Sequence, residues 1–155
     1  MNANQAAGAP AFELRTGDWA TLGEAAGALR TAVFVREQGI PAQFEWDEWD
    51  LRSVHCIACR DGVPVGTGRL LPDGRIGRMA VRVDQRGQGV GRRILETLIA
   101  IAAARGDTCV ELSAQQQVEP FYRAQGFEPV GAPYDEVGIR HVKMRRSLLA
   151  PGASA

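Results

Sequence analysis

Six residues, Arg86, Gly87, Gln88, Gly89, Val90 and Gly91, limit what this chain can fold into more than any other stretch. They sit between an apolar run at 76–83 that reads as a strand and one at 90–104 that reads as a helix. A glycine-rich turn that opens a helix aims several backbone N–H groups in one direction, beside the positive end of the helix dipole. Both favour a bound phosphate. From the residues alone, a phosphate cradle and a plain surface turn fit about equally. A P-loop needs Lys and then Ser or Thr after its last glycine, whereas Arg92 and Arg93 stand there. A dinucleotide fingerprint needs an acidic residue about twenty positions on. Glu111 meets that spacing, so this alternative is weakened but stays open.

The 155 residues suit one domain. Lys plus Arg and Asp plus Glu both number 18, a balance that argues against broad nucleic-acid binding. The local cluster of Arg86, Arg92 and Arg93 suits one small phosphorylated ligand instead. Residues 1–10 lack the basic and apolar regions of a signal peptide and read as a flexible tail, as do 150–155. No run approaches the length of a membrane span. The three cysteines, Cys56, Cys59 and Cys109, then predict reduced thiols and a cytoplasmic protein. Cys56 and Cys59 fall three apart on an apolar run that reads as a strand, so they point to opposite faces. They read as buried structural thiols, and no metal site is expected.

Leu22, Ala25, Ala26, Leu29, Val33 and Phe34 recur at helical spacing, which predicts an amphipathic helix over 21–38, stopped by Gly39 and Pro41. Runs at 54–59, 63–71 and 75–83, joined at Asp61-Gly62 and Asp73-Gly74, predict a three-stranded antiparallel meander. A helix over 90–104 and a strand over 108–113 follow, which predicts a right-handed parallel crossover. A short helix at 119–124 and strands near 128–130 and 141–145 complete the chain. The expected architecture is α/β (α+β): a mixed, mostly antiparallel sheet with helices on both faces and a central parallel crossover.

The turn resembles the Arg/Gln-x-x-Gly-x-Gly/Ala motif of the GNAT superfamily of N-acetyltransferases. Phe121-Tyr122 followed by Gly126-Phe127 is similar to that family's Phe-Tyr-x-x-x-Gly-Phe element. Further runs resemble the ElaA-like subgroup: Val33-Phe34-Val35-Arg36-Glu37-Gln38, Glu45 with Asp47 and Asp50, Gly77-Arg78-Met79-Ala80-Val81, Ser113-Ala114-Gln115, and His141-Val142-Lys143-Met144. The resemblance covers roughly residues 30–145 and implies an acetyltransferase domain over 11–149. It implies that Arg86, Gly87, Gln88, Gly89, Val90, Gly91 and Arg92 cradle the pyrophosphate of acetyl-CoA. The pantetheine arm would lie where Met79, Ala80 and Val81 splay from 112–114, with Gln115 also at the cofactor and a backbone N–H near 79–81 facing the thioester oxygen.

The resemblance also implies a general acid, Tyr122, whose phenol can protonate the leaving sulfur. Where many relatives place a carboxylate on the fourth strand, Arg78 and Met79 stand here. Glu37, His141 or a held water are therefore the candidate bases. The acidic and aromatic segment at 45–50 reads as a solvated loop anchored by two tryptophans, with amine recognition as the alternative. The expected activity is acetyl transfer to a primary amine of a small acceptor. A catalytically inactive acyl-CoA sensor is the rival. Acetyl-CoA and an amine are the expected partners, with neither nucleic acid nor membrane, and an edge strand near the C-terminus could support a homodimer.

Overall fold

The computed structural model describes residues 11–149; the two expected tails lie outside them. Among the described residues, seven strands form two antiparallel sheets. In the first, β1 (Glu13–Gly17), β2 (Val54–Arg60), β3 (Val63–Leu70) and β4 (Ile76–Val81) lie in sequence order. In the second, β7 (Ile139–Ser147) lies between β5 (Cys109–Gln115) and β6 (Glu128–Glu136). The helices are α1 (Trp19–Arg30), α2 (Val90–Ala104) and α3 (Glu119–Ala124).

This corrects the expected single mixed sheet with a central parallel crossover. The strands that α2 joins, β4 and β5, share no ladder. They approach in parallel through one isolated bridge, Arg75 to Glu111, where the Glu111 N–H donates to the Gly74 carbonyl at 3.2 Å. All the ladders are antiparallel. A bulge falls on β4 just past the bridge: Arg78 and Met79 together oppose Gly68 of β3, and Arg78 takes φ +50°. Bulges bend a strand and sharpen its twist. Two sheets therefore replace one, each presenting an unpaired edge to the other.

Helices do lie on both faces of the first sheet. Successive strand residues alternate sides, so Cys56 and Ala58 pack under α2 with Ile94, Leu95 and Leu98. Ile57 and Cys59 pack under α1 with Ala26 and Leu29. Both cysteines are thus buried on opposite faces, and burial pushes the Cys56 thiol up to about 12, which leaves it inert. The α2–β3 contact is close because β3 carries glycines there. A Cβ on Gly66 would stand 2.8 Å from Val90 Cγ1, and one on Gly68 would stand 2.9 Å from Ile94 Cγ2. That contact fixes where the N-terminus of α2 emerges.

Local chemistry explains the element ends. The Asp18 carboxylate caps α1 by accepting from the Thr21 N–H at 3.0 Å. The expected helix over 21–38 divides into α1 and a π-helical segment, Thr31–Glu37. Asp61 and Gly62 both take positive φ, as a two-residue hairpin turn requires. Val137 and Gly138 do the same, which lengthens β6 and β7 well beyond the expected runs. The strand β1 is absent from the sequence reading because its five residues form a largely exposed edge with little alternation. No helix among the described residues is long and apolar enough to cross a membrane.

Candidate active site

A cavity of about 1600 Å³ opens between the free edges of β4 and β5. Pockets for one drug-sized ligand run to roughly 300–1,000 Å³, so this one has room for two reactants. All the residues singled out from the sequence as cofactor-binding or catalytic line it.

At one end lies the glycine-rich turn. Gly87 and Gly89 take φ +78° and +86°, and a Cβ on either would meet nothing within 4 Å. Left-handed backbone, rather than crowding, is what calls for glycine there. Gly91 differs: its φ is ordinary, and a Cβ would make van der Waals contact with Val81 at 3.7 Å. The α2 ladder begins with the Arg93 N–H donating to the Gly89 carbonyl at 3.0 Å. The N–H groups of residues 87–92 find no acceptor among the described residues. Such a row at a helix N-terminus suits a phosphate oxygen. Arg60 braces the turn from behind, donating to Gln85 Oε1 at 2.8 Å and Gln88 Oε1 at 3.2 Å.

Arg86 is held elsewhere. Its Nη atoms donate to both Glu37 oxygens at 2.6 and 2.7 Å, and its Nε donates to the Val81 carbonyl at 2.9 Å. The Arg86 hydrogen bond keeps the Glu37 carboxyl below its ordinary range. A carboxylate so engaged is a weak proton acceptor. One residue on, Gln38 pairs with Gln115: the Gln115 amide donates to Gln38 Oε1 at 2.8 Å. The end of the π-helical segment therefore ties to both the turn and the end of β5, a use of π-geometry common at functional sites.

Tyr122 sits on α3 with edge-to-face neighbours Phe121 and Phe127, at ring separations of 5.0 and 5.9 Å. Burial pushes its phenol up to about 12, and its hydroxyl has no hydrogen-bond partner among the described residues. It stays a proton donor throughout the neutral range. His141 lies opposite Gln115 on β7. Its Nδ1 lies 2.7 Å from the Ile139 carbonyl, which can only accept, so Nδ1 carries the proton. Nε2 then bears the lone pair of the neutral ring. The Glu136 carboxylate stands 4.0 Å from Nε2, and the Tyr134 ring stacks on the imidazole at 6.1 Å. Tyr134 is itself hydrogen-bonded to Ser113.

The acidic segment is not the expected solvated loop. Asp50 is fully buried and accepts from both Arg30 Nη atoms at 2.8 Å and from Arg69 at 2.8 Å. Glu45 pairs with Arg30, and Asp47 accepts from Arg69 at 2.6 and 2.9 Å and from Arg78 at 3.2 Å. Burial works against ionising Asp50, yet the two guanidiniums outweigh it and hold the carboxyl below its usual value. Three carboxylates, Glu45, Asp47 and Asp50, thus meet three guanidiniums, and of the acids in this run only the exposed Glu48 stands outside the network. Trp46 is half exposed, while Trp49 lies under Arg52 and Arg75. The sequence held one overlooked sign of this network. Arg30 falls on the apolar face shared by Ala26, Leu29 and Val33, where a charge needs a buried partner. Gln38 closes the run at 33–38 that resembles the ElaA-like subgroup, whereas nothing in the spacing marked Tyr134.

Among the described residues, no group of three or more His, Cys, Asp or Glu is placed to hold a metal. The family model described as an acetyltransferase (GNAT) domain matches residues 27–148. The chain is 35% identical over 122 residues to the uncharacterized N-acetyltransferase YjcF of Bacillus subtilis, covering 76% of this chain and 87% of that protein. It is 33% identical over 129 residues to protein ElaA of Escherichia coli, covering 78% and 84%. The crystal structure of an acyl-CoA N-acyltransferase from Pseudomonas aeruginosa superposes with a TM-score of 0.79 at 35% identity, over 88% of this chain and all of that one.

Proposed function

Because the chain belongs to the GNAT acetyltransferases and transfers acetyl groups from acetyl-CoA, we propose that its acceptor is a small primary amine that attacks the thioester directly. The observation that carries this reading is the division of one cavity. N–H groups of the turn, without acceptors among the described residues, lie at one end, and a histidine whose Nε2 faces Glu136 at 4.0 Å lies at the other. Acetyl-CoA supplies the activated acetyl group and a thiolate leaving group. The N–H groups of residues 87–92, with Arg92, hold its pyrophosphate. The open edges of β4 and β5 offer backbone donors and acceptors to its extended arm, as a sheet edge does to an added strand. A backbone N–H among Met79, Ala80 and Val81 polarises the thioester carbonyl.

In this reading His141 Nε2 takes the proton from the acceptor ammonium, and Glu136 stabilises the resulting imidazolium. Tyr122 gives its proton to the departing sulfur, and the second proton lost by the nitrogen as the amide forms restores the phenol. Glu37 positions Arg86 rather than acting as the base. Membership of the ElaA-like subgroup and a cytoplasmic location belong to the same proposal. The subgroup rests on the motif set shared along the chain, the location on three free cysteines. Release of CoA across a panel of amines tests the reaction. Tyr122→Phe should lower kcat about a hundredfold, or about 2.7 kcal/mol of barrier, because a thiolate leaves fairly well unaided. Unchanged turnover under conditions where chemistry limits the rate would remove Tyr122 from the mechanism.

A further inference from the structure

We infer that the acceptor carries a carboxylate close to its reacting amine, and that Lys143 is the residue that recognises it. This rests on the acyl-transfer reading above and specifies its acceptor. The argument starts from the cations lining the cavity. Arg69 is held by Asp47 and Asp50, Arg75 by Asp73, Arg78 by Asp47 and Arg86 by Glu37. Two more lining cations, Arg92 and Lys143, have no carboxylate within ion-pair distance among the described residues. Arg92 lies in the first turn of α2, beside the phosphate-binding N–H groups. Lys143 lies on the other sheet, exposed, between Ser113 of β5 and Val130 of β6.

Lys143 follows His141 by two residues on β7, so both side chains leave the same face. Two residues of strand rise about 7 Å. Along that face the cavity presents the base with Glu136 at 4.0 Å, and then one uncompensated positive charge. The order of charge complements an amine and a carboxylate a few bonds apart, as in a free amino acid. A polyamine would instead set a second cation against Lys143 with nothing offered in return. Glu111, the carboxylate on the same face of β5, cannot serve as Lys143's partner because Arg145 holds it.

Steady-state CoA release by the full chain tests this with matched pairs: L-phenylalanine against phenethylamine, L-lysine against cadaverine, and spermidine as the polyamine. Wild type should favour the carboxylated member of each pair at least tenfold in kcat/KM. Lys143→Glu should reduce that preference tenfold or more, mainly through KM for the amino acid, and Lys143→Arg should keep it. Equal kcat/KM across the pairs, or Lys143→Glu slowing both members alike, would overturn the assignment. Acetyl-CoA binding without CoA release from any acceptor would instead overturn the acyl-transfer reading, and this inference with it.

Discussion

The turn at 86–91 and the acidic run at 45–50 both gather polar groups against the same cavity, yet they end in opposite states. In the acidic run, Glu45, Asp47 and Asp50 are matched by Arg30, Arg69 and Arg78 within the protein. In the turn, the N–H groups of residues 87–92 find no partner among the described residues. The difference teaches that a concentration of charge does not by itself mark a binding site. What marks one is hydrogen-bonding capacity left over after folding. The network instead serves the site indirectly. Arg78, in its left-handed bulge on β4, donates to the Glu45 carbonyl at 2.9 Å and to Asp47, so the ion pairs pin the bend that parts β4 from β5.

The contrast breaks most forcefully at Asp50. Asp50→Asn leaves Arg30 and Arg69 under-compensated in a buried setting, and removing one partner of such a pair costs about 3–5 kcal/mol. Thermal melts should fall by roughly ten degrees, while the KM for acetyl-CoA of the folded fraction stays close to wild type. A stable variant with weakened acetyl-CoA binding would reverse the roles assigned to the two regions.

Acid should expose the same network more gently. His55 is fully buried with Nε2 2.9 Å from the Asp50 carbonyl, and burial lowers its pKa from 6.5. A depressed folded value means the unfolded chain binds the proton first, so stability is full above about 6.5 and declines as pH falls. The loss can reach about 1.4 kcal/mol per pH unit for this one proton. Asp47 and Asp50 are also held below their ordinary 3.8, so their contribution is lost only at still lower pH. Melting temperatures that stay flat from pH 7 to pH 5 would contradict this.

The smallest effect belongs to Gly91. With ordinary φ and room for a Cβ, Gly91→Ala should change stability by less than about 0.5 kcal/mol and leave CoA affinity nearly intact. A large loss would mean that the third glycine is needed for close approach of the ligand.

Much of this was legible in advance, and the reasons differ by element. The turn, α2 and the Asp61-Gly62 hairpin declare themselves through local chemistry: glycine at positive φ and apolar residues at a fixed period. The separation of β4 from β5 is a long-range outcome, produced where Gly68 faces two residues, and no local period encodes it. Tyr122 and His141, the candidate acid and base, both line the cavity. Their partners, Glu136 and Tyr134, lie on a strand whose length depends on the Val137-Gly138 turn, and that pair gave no clear turn signal. The ion network stayed hidden because Arg30, Asp50 and Arg69 are brought together only by tertiary packing.

The central claim is that the unpaired N–H groups of the turn are the CoA phosphate site. Calorimetric titration of CoA into wild type and Gly89→Asp, each checked for folding, tests it most directly. The aspartate adds a side chain at φ +86° and a negative charge beside the phosphates, so a folded Gly89→Asp should show no measurable CoA binding where wild type binds. Intact affinity in that folded variant would contradict the account.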